Sequence, residues 1–197
     1  MYWILLAAWT DAAAVTPEPP RLAPKIALRG VAETWDDTSI GTVYRTGALS
    51  GGAALILPFT SHIAVDVGFT YKRLSPLTDI ENAKFEVLPI NLSAEYWFGG
   101  EEQNWDVFVG LGPSLVVFSE RHPSNKKGEA IRGTRMAFEA SVGVRIDTGL
   151  IEPRMAPAPR GLDGIEIEVF GARRTQFPSK GFALGAWRGG LGIVFRL

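Results

Sequence analysis

The sequence contains no cysteine, which excludes disulfide bonds, thiolate metal sites and cysteine nucleophiles. It has only two histidines, His62 and His122, and these fall at opposite ends of predicted strands, so they cannot share a metal ion. The formal net charge is −1 at pH 7, which leaves no basic surplus of the kind that binds nucleic acid. We therefore expect no metal, no cofactor and no nucleic-acid partner.

Long apolar runs are also missing. No stretch reaches the roughly 18 apolar residues that a transmembrane helix needs. The apolar run at residues 2–9 is shorter, and three alanines at residues 12–14 follow it, a pattern typical of a secretory signal peptide. We predict a signal peptide over residues 1–14, a proline-rich leader over 15–24 and one domain over 25–197; the alternative is an apolar N-terminus that is not cleaved.

Helical periodicity is absent from the predicted domain, where apolar residues recur every second position instead. Eight such segments are separated by turn sequences such as "GGEEQN" and "HPSNKKGE". Consecutive long strands with short connections predict an all-β fold, an eight-stranded antiparallel up-and-down transmembrane β-barrel. The predicted strands cover residues 25–35, 46–59, 61–73, 84–98, 104–120, 131–148, 164–175 and 183–197.

The two faces of these strands differ sharply in charge. Eight cations and nine anions fall on a face that is otherwise rich in Gly, Ala and Ser, whereas the apolar face carries only four charged residues, all at strand ends. Small residues make room for long paired side chains in a narrow lumen, so we assign this face to a salt-bridged interior. The predicted lumen charge network comprises Arg29, Glu33, Asp66, Lys72, Glu95, Asp106, Arg135, Glu139, Arg145, Glu166, Glu168, Arg188 and Arg196.

Aromatic residues gather near the strand ends, at the depth where a membrane interface favours an apolar ring with a polar edge. The strands also exceed the about 9–11 residues that a tilted membrane strand needs. The alternative is a secreted lipocalin-like barrel with the apolar face inside. The predicted membrane-interface aromatics are Trp35, Tyr71, Tyr96, Phe98, Trp105, Phe118, Trp187 and Phe195.

Three stretches, "PINLSAEYWFG", "WDVFVGLGPSLVVF" and the terminal "GLGIVFRL", are similar to strands of the small eight-stranded outer-membrane β-barrels of Gram-negative bacteria, the OmpA/OmpX-type and OmpW-like group. The resemblance covers about residues 25–197. It implies an integral outer-membrane location, contacts with outer-membrane lipid and lipopolysaccharide, and recognition of the C-terminal strand by the barrel assembly machinery. Such barrels usually end in an aromatic residue, whereas this chain ends in Leu197.

Both chain ends are expected on the periplasmic side, with the connections at 36–45, 74–83, 121–130 and 176–182 facing outward. The proline-rich stretch 150–163 departs from this scheme, because it is long and falls on the side where short turns are expected.

The function we expect is structural, or one of surface interaction through the outer loops, without enzymatic activity. One alternative is a conduit for small or hydrophobic solutes, which the resemblance to the OmpW-like group implies. Another is a lipid A deacylase, since "ERHPSN" resembles the His/Ser pair of those enzymes, with His122 as general base, Ser124 as nucleophile and Glu139 as orienting acid. Pro123 stands between His122 and Ser124 and breaks the strand geometry that such a pair requires.

Overall fold

The computed structural model describes residues 22–44, 49–77, 83–99, 104–121, 129–150, 164–178 and 183–197. It is a closed barrel in which every strand is antiparallel to its neighbours in sequence and the first strand pairs with the last. The predicted fold class is therefore confirmed. The strands are β1 (Lys25–Trp35), β2 (Ser50–Pro58), β3 (Ile63–Leu74), β4 (Lys84–Phe98), β5 (Trp105–Arg121), β6 (Ile131–Asp147), β7 (Gly164–Gln176) and β8 (Ala186–Arg196).

Most strand bounds agree with the sequence pattern, and β1 and β4 begin and end at the predicted residues. Strand β2 begins later than residue 46, at Ser50. A six-residue helix, α1 (Thr38–Val43), lies within a predicted connection; it has fewer than two turns, so no helical period could reveal it. A short 3₁₀ turn, Thr148–Leu150, follows β6. None of the described helices is long and apolar enough to span a bilayer.

The barrel has two distinct ends. The first residue of β1 and the last of β8 lie at the same end, which we call the terminal end, together with the β2–β3, β4–β5 and β6–β7 connections. The opposite end, which we call the loop end, carries the other four connections and α1. Most of the segment 150–163, along with the predicted signal peptide, lies outside the described residues.

Closure depends on the β1–β8 pair, whose register runs from Lys25↔Arg196 to Trp35↔Ala186 without a break. Just beyond it, the Leu197 amide donates to the Pro24 carbonyl at 3.0 Å. A closed sheet has no edge strand, so its backbone amides and carbonyls are paired within the wall. This is the condition for placing β-structure in a solvent that offers no hydrogen bonds.

The polarity of the barrel is the reverse of a water-soluble one. Outward side chains such as Leu92, Leu111 and Leu191 are 50%, 54% and 62% exposed, whereas the inward Arg174 and Glu168 are fully buried. The alternative of a lipocalin-like barrel requires the apolar face inside, and is therefore wrong.

Candidate functional site

Three layers of charged side chains and one apolar cluster fill the barrel from the terminal end to the loop end. The order follows from the strand register, because inward residues of neighbouring strands stack at matching heights. The terminal layer comprises Lys25, Asp147, Glu166 and Arg196; the middle layer comprises Arg29, Asp66, Glu95, Arg145 and Glu168; the loop layer comprises Glu33, Lys72, Glu139, Arg174 and Arg188.

The middle layer is a chain of bidentate contacts across the lumen. Arg145 donates from both terminal nitrogens to Glu95 at 2.9 and 3.0 Å, and its Nε donates to Glu168 at 2.9 Å. Arg29 donates hydrogen bonds to both carboxylate oxygens of the same Glu168, at 2.7 and 3.0 Å, and to Asp66 at 2.6 Å. Guanidinium groups suit this arrangement, since their planar fork matches two carboxylate oxygens at once. The layer ties β1, β3, β4, β6 and β7 to one another through the interior.

The loop layer is centred on Arg188. Its Nη1 donates to Glu139 at 2.6 and 2.8 Å, its Nη2 donates to the Thr70 hydroxyl at 3.0 Å, and its Nε lies 2.9 Å from Glu33. Arg174 lies 3.6 Å from the same Glu33, and its Nε donates to the Leu184 carbonyl at 3.1 Å. The loop layer holds three cations and two anions, whereas the middle layer holds two cations and three anions, so the buried charge is polarised along the barrel axis.

The terminal layer is smaller and more open. Lys25 Nζ lies 2.8 Å from Glu166 and 4.5 Å from the centre of the Trp97 ring. Arg196 contacts Glu166 at 3.3 Å and also pairs with Asp147. The Arg196 side chain is 32% exposed, so water competes for its contacts at this end.

Three interior phenylalanines share one arrangement with glycine and arginine. Phe108, Phe118 and Phe170 each pair in register with a glycine on the next strand, namely Gly143, Gly133 and Gly190. A Cβ at Gly143 would stand 2.5 Å from the Phe108 ring, so the glycine leaves the space in which the ring lies against the wall. An arginine then covers each ring from the lumen: Arg145 at 4.2 Å, Arg135 at 5.4 Å and Arg29 at 5.4 Å from the respective ring centres.

The loop end is closed by an apolar cluster, which we call the apolar cap. Side chains from α1 and the β7–β8 connection pack on inward residues of the strands, as in the core of a soluble protein. The Tyr44 hydroxyl donates to Glu120 at 3.0 Å, which satisfies the polar atom of an otherwise apolar side chain. The cap comprises Trp35, Ile40, Tyr44, Leu74, Phe85, Val87, Val116, Phe118, Ala137, Leu184 and Ala186.

The described space between the middle and loop layers is small. A cavity of about 30 Å³ lies between the middle and loop layers, lined by Arg29, Asp66, Asn91, Glu139 and Arg188 among others. A water molecule needs about 10–15 Å³ of such volume, so this space suits about two. Its lining offers both donors and acceptors, which is the setting in which buried water is retained.

The predicted lumen charge network falls on inward positions of the strands. Most of its members meet in the three layers described above. Asp106 and Arg135 are inward-facing and half-buried, Asp106 near the terminal layer and Arg135 beneath the cap. The layers also contain Lys25, Asp147 and Arg174, which were not in the predicted network. These three residues have the same inward parity along their strands as the residues that were.

Two predicted interface aromatics are corrected by the structure. Trp35 and Phe118 are 7% and 5% exposed and belong to the apolar cap. The reason is the pleat: Phe118 has the same parity along β5 as the inward Phe108 and Ser114, and Trp35 has that of the inward Val31 and Glu33. Proximity to a strand end, the signal on which the prediction rested, does not determine the face.

The other predicted interface aromatics face outward. Tyr71, Tyr96, Trp105 and Trp187 are exposed by 45% or more, as is Phe98, and Phe195 is half-buried on the same face. Sequence reasoning missed the interior aromatics Trp97, Phe108 and Phe170. For Phe108 and Phe170 the available signal was an aromatic at inward parity opposite a glycine in the neighbouring strand. Trp97 pairs in register with Phe108, so this signal did not mark it.

The residues considered for catalysis form no site in the described part of the chain. His122 and Ser124 lie outside the described residues, and Glu139 is held by Arg188 and by the Asn91 side-chain amide at 3.2 Å. Within the described ranges, no group of three His, Asp or Glu side chains could hold a metal ion.

No protein-family model and no curated protein matches the chain. Solved structures do match in fold. Neisserial surface protein A aligns with a TM-score of 0.61 over 88% of this chain and 97% of its own, at 12% identity. The outer membrane protein OprG from Pseudomonas aeruginosa aligns at 0.55 over 89% and 96%, also at 12% identity. Ail, the attachment invasion locus protein of Yersinia pestis, crystallised with the heparin analogue sucrose octasulfate, aligns at 0.54 over 89% and 97%, at 12% identity.

Proposed function

Because the chain has the fold of the small eight-stranded outer-membrane β-barrels, we propose that it is an integral protein of the bacterial outer membrane. In this proposal it has a closed interior and a structural or surface-interaction role through its loop end. The observation that carries the proposal is the reversed polarity of the wall, with apolar side chains outside and paired charges inside.

The outward apolar band has the height of a bilayer core. On β4 the uncharged outward residues run from Leu88 to Phe98. Ten steps of about 3.3 Å along a strand tilted by about 40° give about 25 Å, the height of the apolar band in outer-membrane barrels.

The orientation is part of the same proposal. Residues 1–14 would direct export, β8 would be read by the barrel assembly machinery, and the loop end would face the outside of the cell. Membrane fractionation tests the location: the mature chain is expected in the outer-membrane fraction and resistant to extraction by urea or alkaline carbonate. Recovery in the soluble fraction would contradict it.

A closed interior distinguishes this role from that of a conduit. The layered ion pairs and the apolar cap block the axis, and the described interior cavity holds only about two waters. Purified protein in a planar bilayer is therefore expected to give no discrete conductance steps. Steps whose size changes in an Arg145→Ala variant would assign the current to the lumen and support the conduit instead.

We also propose that the chain is not an enzyme. A Ser124→Ala variant, expressed in place of the wild-type chain, is expected to leave the acylation pattern of lipid A unchanged by mass analysis. A loss of deacylated species specific to this variant would establish the deacylase alternative.

A further inference from the structure

The charged residues on the outward face of the eight strands all lie at one end of the barrel. They comprise five cations and one anion, two more than the four charged residues expected on this face from the sequence, because Lys84 and Arg121 also have outward parity. Each stands near the loop end, and no outward position of these strands in the middle or at the terminal end is charged. The six residues are Arg73, Lys84, Glu86, Arg121, Arg132 and Arg173.

Four of the five cations share one sector of the wall, formed by β3 to β6. Lys84 and Arg121 are register partners on β4 and β5. On the next row, Glu86 pairs with Ser119, which in turn pairs with Arg132 on β6. Among the described residues, no salt bridge involves Lys84, Arg121 or Arg132. By contrast Arg173, on β7, is engaged by Asp36 at 2.5 and 2.8 Å.

A groove in the outer surface lies directly beneath these cations. Its volume is about 550 Å³, and its lining includes Leu88 and Val117 toward the apolar band and Ser119 and Arg132 toward the loop end. A second depression of about 190 Å³, lined by Lys84, Arg121 and Arg132 among others, shares its border. The site therefore has an apolar lower part and a cationic upper part.

The single anion among the described outward strand residues of this sector is already engaged. Glu86 accepts a hydrogen bond from the Tyr71 hydroxyl at 3.2 Å and stands opposite Arg73 in register. The balance of the sector therefore favours a ligand that carries negative charge.

We propose that this groove binds a phosphorylated glycolipid of the outer leaflet, the chemical class to which lipopolysaccharide belongs. Phosphate groups lie against Lys84, Arg121 and Arg132, where charge-assisted hydrogen bonds are strongest, and an acyl chain lies over Leu88 and Val117. The inference rests on the proposed membrane location, because only there does the groove meet the boundary between headgroups and hydrocarbon.

Native mass spectrometry of the full chain released from detergent micelles tests the site. Lipopolysaccharide is the probe, compared with its enzymatically dephosphorylated form, with phosphatidylcholine and with inorganic phosphate. The variant carries Lys84→Gln, Arg121→Gln and Arg132→Gln together. The matched control is Arg173→Gln, which removes an outward cation at the same end but outside the groove. The gel mobility of unheated samples reports whether each variant is folded.

We expect the wild-type chain to retain one molecule of lipopolysaccharide, and the triple variant to bind it at least tenfold more weakly, with the Arg173→Gln chain unchanged. The dephosphorylated lipid should bind the wild-type chain as weakly as lipopolysaccharide binds the triple variant. Equal retention of phosphatidylcholine would reduce the groove to a nonspecific apolar surface, and inorganic phosphate binding as tightly as the lipid would reduce it to a free-anion site. Either result overturns the inference.

If the triple variant proves unfolded, Leu88→Trp serves instead, because it fills the apolar part of the groove and leaves the cations in place. Retention equal to wild type in a folded Leu88→Trp chain would overturn the inference. A chain that fails to enter lipid bilayers contradicts the proposed function, whereas a chain that inserts but does not discriminate between these lipids contradicts the groove alone.

Discussion

The middle layer and the apolar cap occupy the same lumen and are enclosed by the same strands, yet they are built in opposite ways. The middle layer is held by guanidinium–carboxylate pairs such as Arg145 with Glu95 and Glu168. The cap is held by apolar packing under α1, with Phe85 and Leu184 almost fully buried. The difference follows from what each region can reach, because the loop end receives chain from the connections whereas the middle receives only side chains from the wall.

The two regions also differ in what stabilises them, ion pairing in the middle layer and apolar packing in the cap. A buried ion pair stabilises little over an apolar replacement, but losing one partner leaves a charge without compensation. An apolar cap loses stability in proportion to the volume removed. The two regions are therefore expected to respond differently to the same kind of truncation.

Removing Arg145 should give the largest effect. In Arg145→Met, Glu95 loses two and Glu168 loses one of the hydrogen bonds that hold them inside the barrel, at an expected cost of about 3–5 kcal/mol in the free energy of unfolding. Urea unfolding of the refolded protein in lipid vesicles, followed by tryptophan fluorescence, measures it.

Arg196→Met is the matched control in the terminal layer. Its side chain is 32% exposed and that of Asp147 is 28% exposed, so water can solvate Asp147, whereas the buried Glu166 keeps Lys25 at 2.8 Å. The expected cost is therefore below about 1 kcal/mol. Equal costs for the two variants would remove the distinction between the enclosed middle layer and the open terminal layer.

Truncating the cap should give the next largest effect. Leu184 is fully buried, so Leu184→Ala should reduce the free energy of unfolding by about 2–4 kcal/mol through the cavity it leaves. Leu184→Met keeps the volume and should cost less than about 1.5 kcal/mol. If alanine costs no more than methionine in the same unfolding assay, the cap is not packed as a core.

Replacing a strand glycine by alanine, once in the middle of the barrel and once at the cap, compares how tightly the wall is packed in the two regions. A Cβ at Gly143 meets both the Phe108 ring and the Val169 carbonyl oxygen at 2.5–2.6 Å, whereas one at Gly133 meets only the Phe118 ring, at 2.7 Å. Since a backbone oxygen cannot move aside as a ring can, Gly143→Ala should cost about 1–3 kcal/mol and Gly133→Ala less. The reverse order in thermal unfolding would contradict this account of the phenylalanine–glycine pairs.

Tyr44 provides the smallest test, at the polar edge of the cap. Tyr44→Phe loses the hydrogen bond to Glu120 and should cost about 0.5–1.5 kcal/mol. Burial, reinforced by the Glu120 charge, raises the pKa of the Tyr44 phenol. A raised folded-state pKa means that this stabilisation is lost as pH rises above about 10, the pKa of an unfolded tyrosine.

The pH dependence of the free energy of unfolding tests whether the Tyr44 pKa is raised on folding. Between about pH 9 and pH 11, the wild-type chain should lose more stability than Tyr44→Phe. If the free energy of unfolding depends on pH equally in the two chains, the Tyr44 phenol is exposed to water.

The two-residue alternation along the strands was enough to predict the barrel fold and to assign many of the interior residues to the inward face. Arg188 and Glu139 were assignable to one face because each falls between small residues at a fixed parity, and a two-residue period leaves only two faces to choose from. Their pairing with each other was not assignable, because β6 and β8 are not adjacent and register does not specify contacts across a lumen.

The cap could not be predicted in the same way. Trp35 and Phe118 were placed in the interface by their nearness to strand ends, although their parity points inward. The cap that buries them includes Ile40 of α1, whose six residues are too few to show a period. A short segment that acquires its structure only by packing leaves no local signal.

If the apolar face of the wall lies against lipid and the charged face is enclosed, site-directed spin labelling should distinguish the two faces of a single strand. The chain has no cysteine, so a single introduced cysteine carries the only label. On β4, Leu92→Cys is expected to be accessible to oxygen and not to a polar nickel chelate in vesicles, with the chelate gaining access toward Lys84→Cys at the loop end. Ser93→Cys, one residue away and inward, is expected to be immobile and inaccessible to both. Chelate access at Leu92 equal to that at Lys84 would place the apolar face of the wall in water instead of lipid.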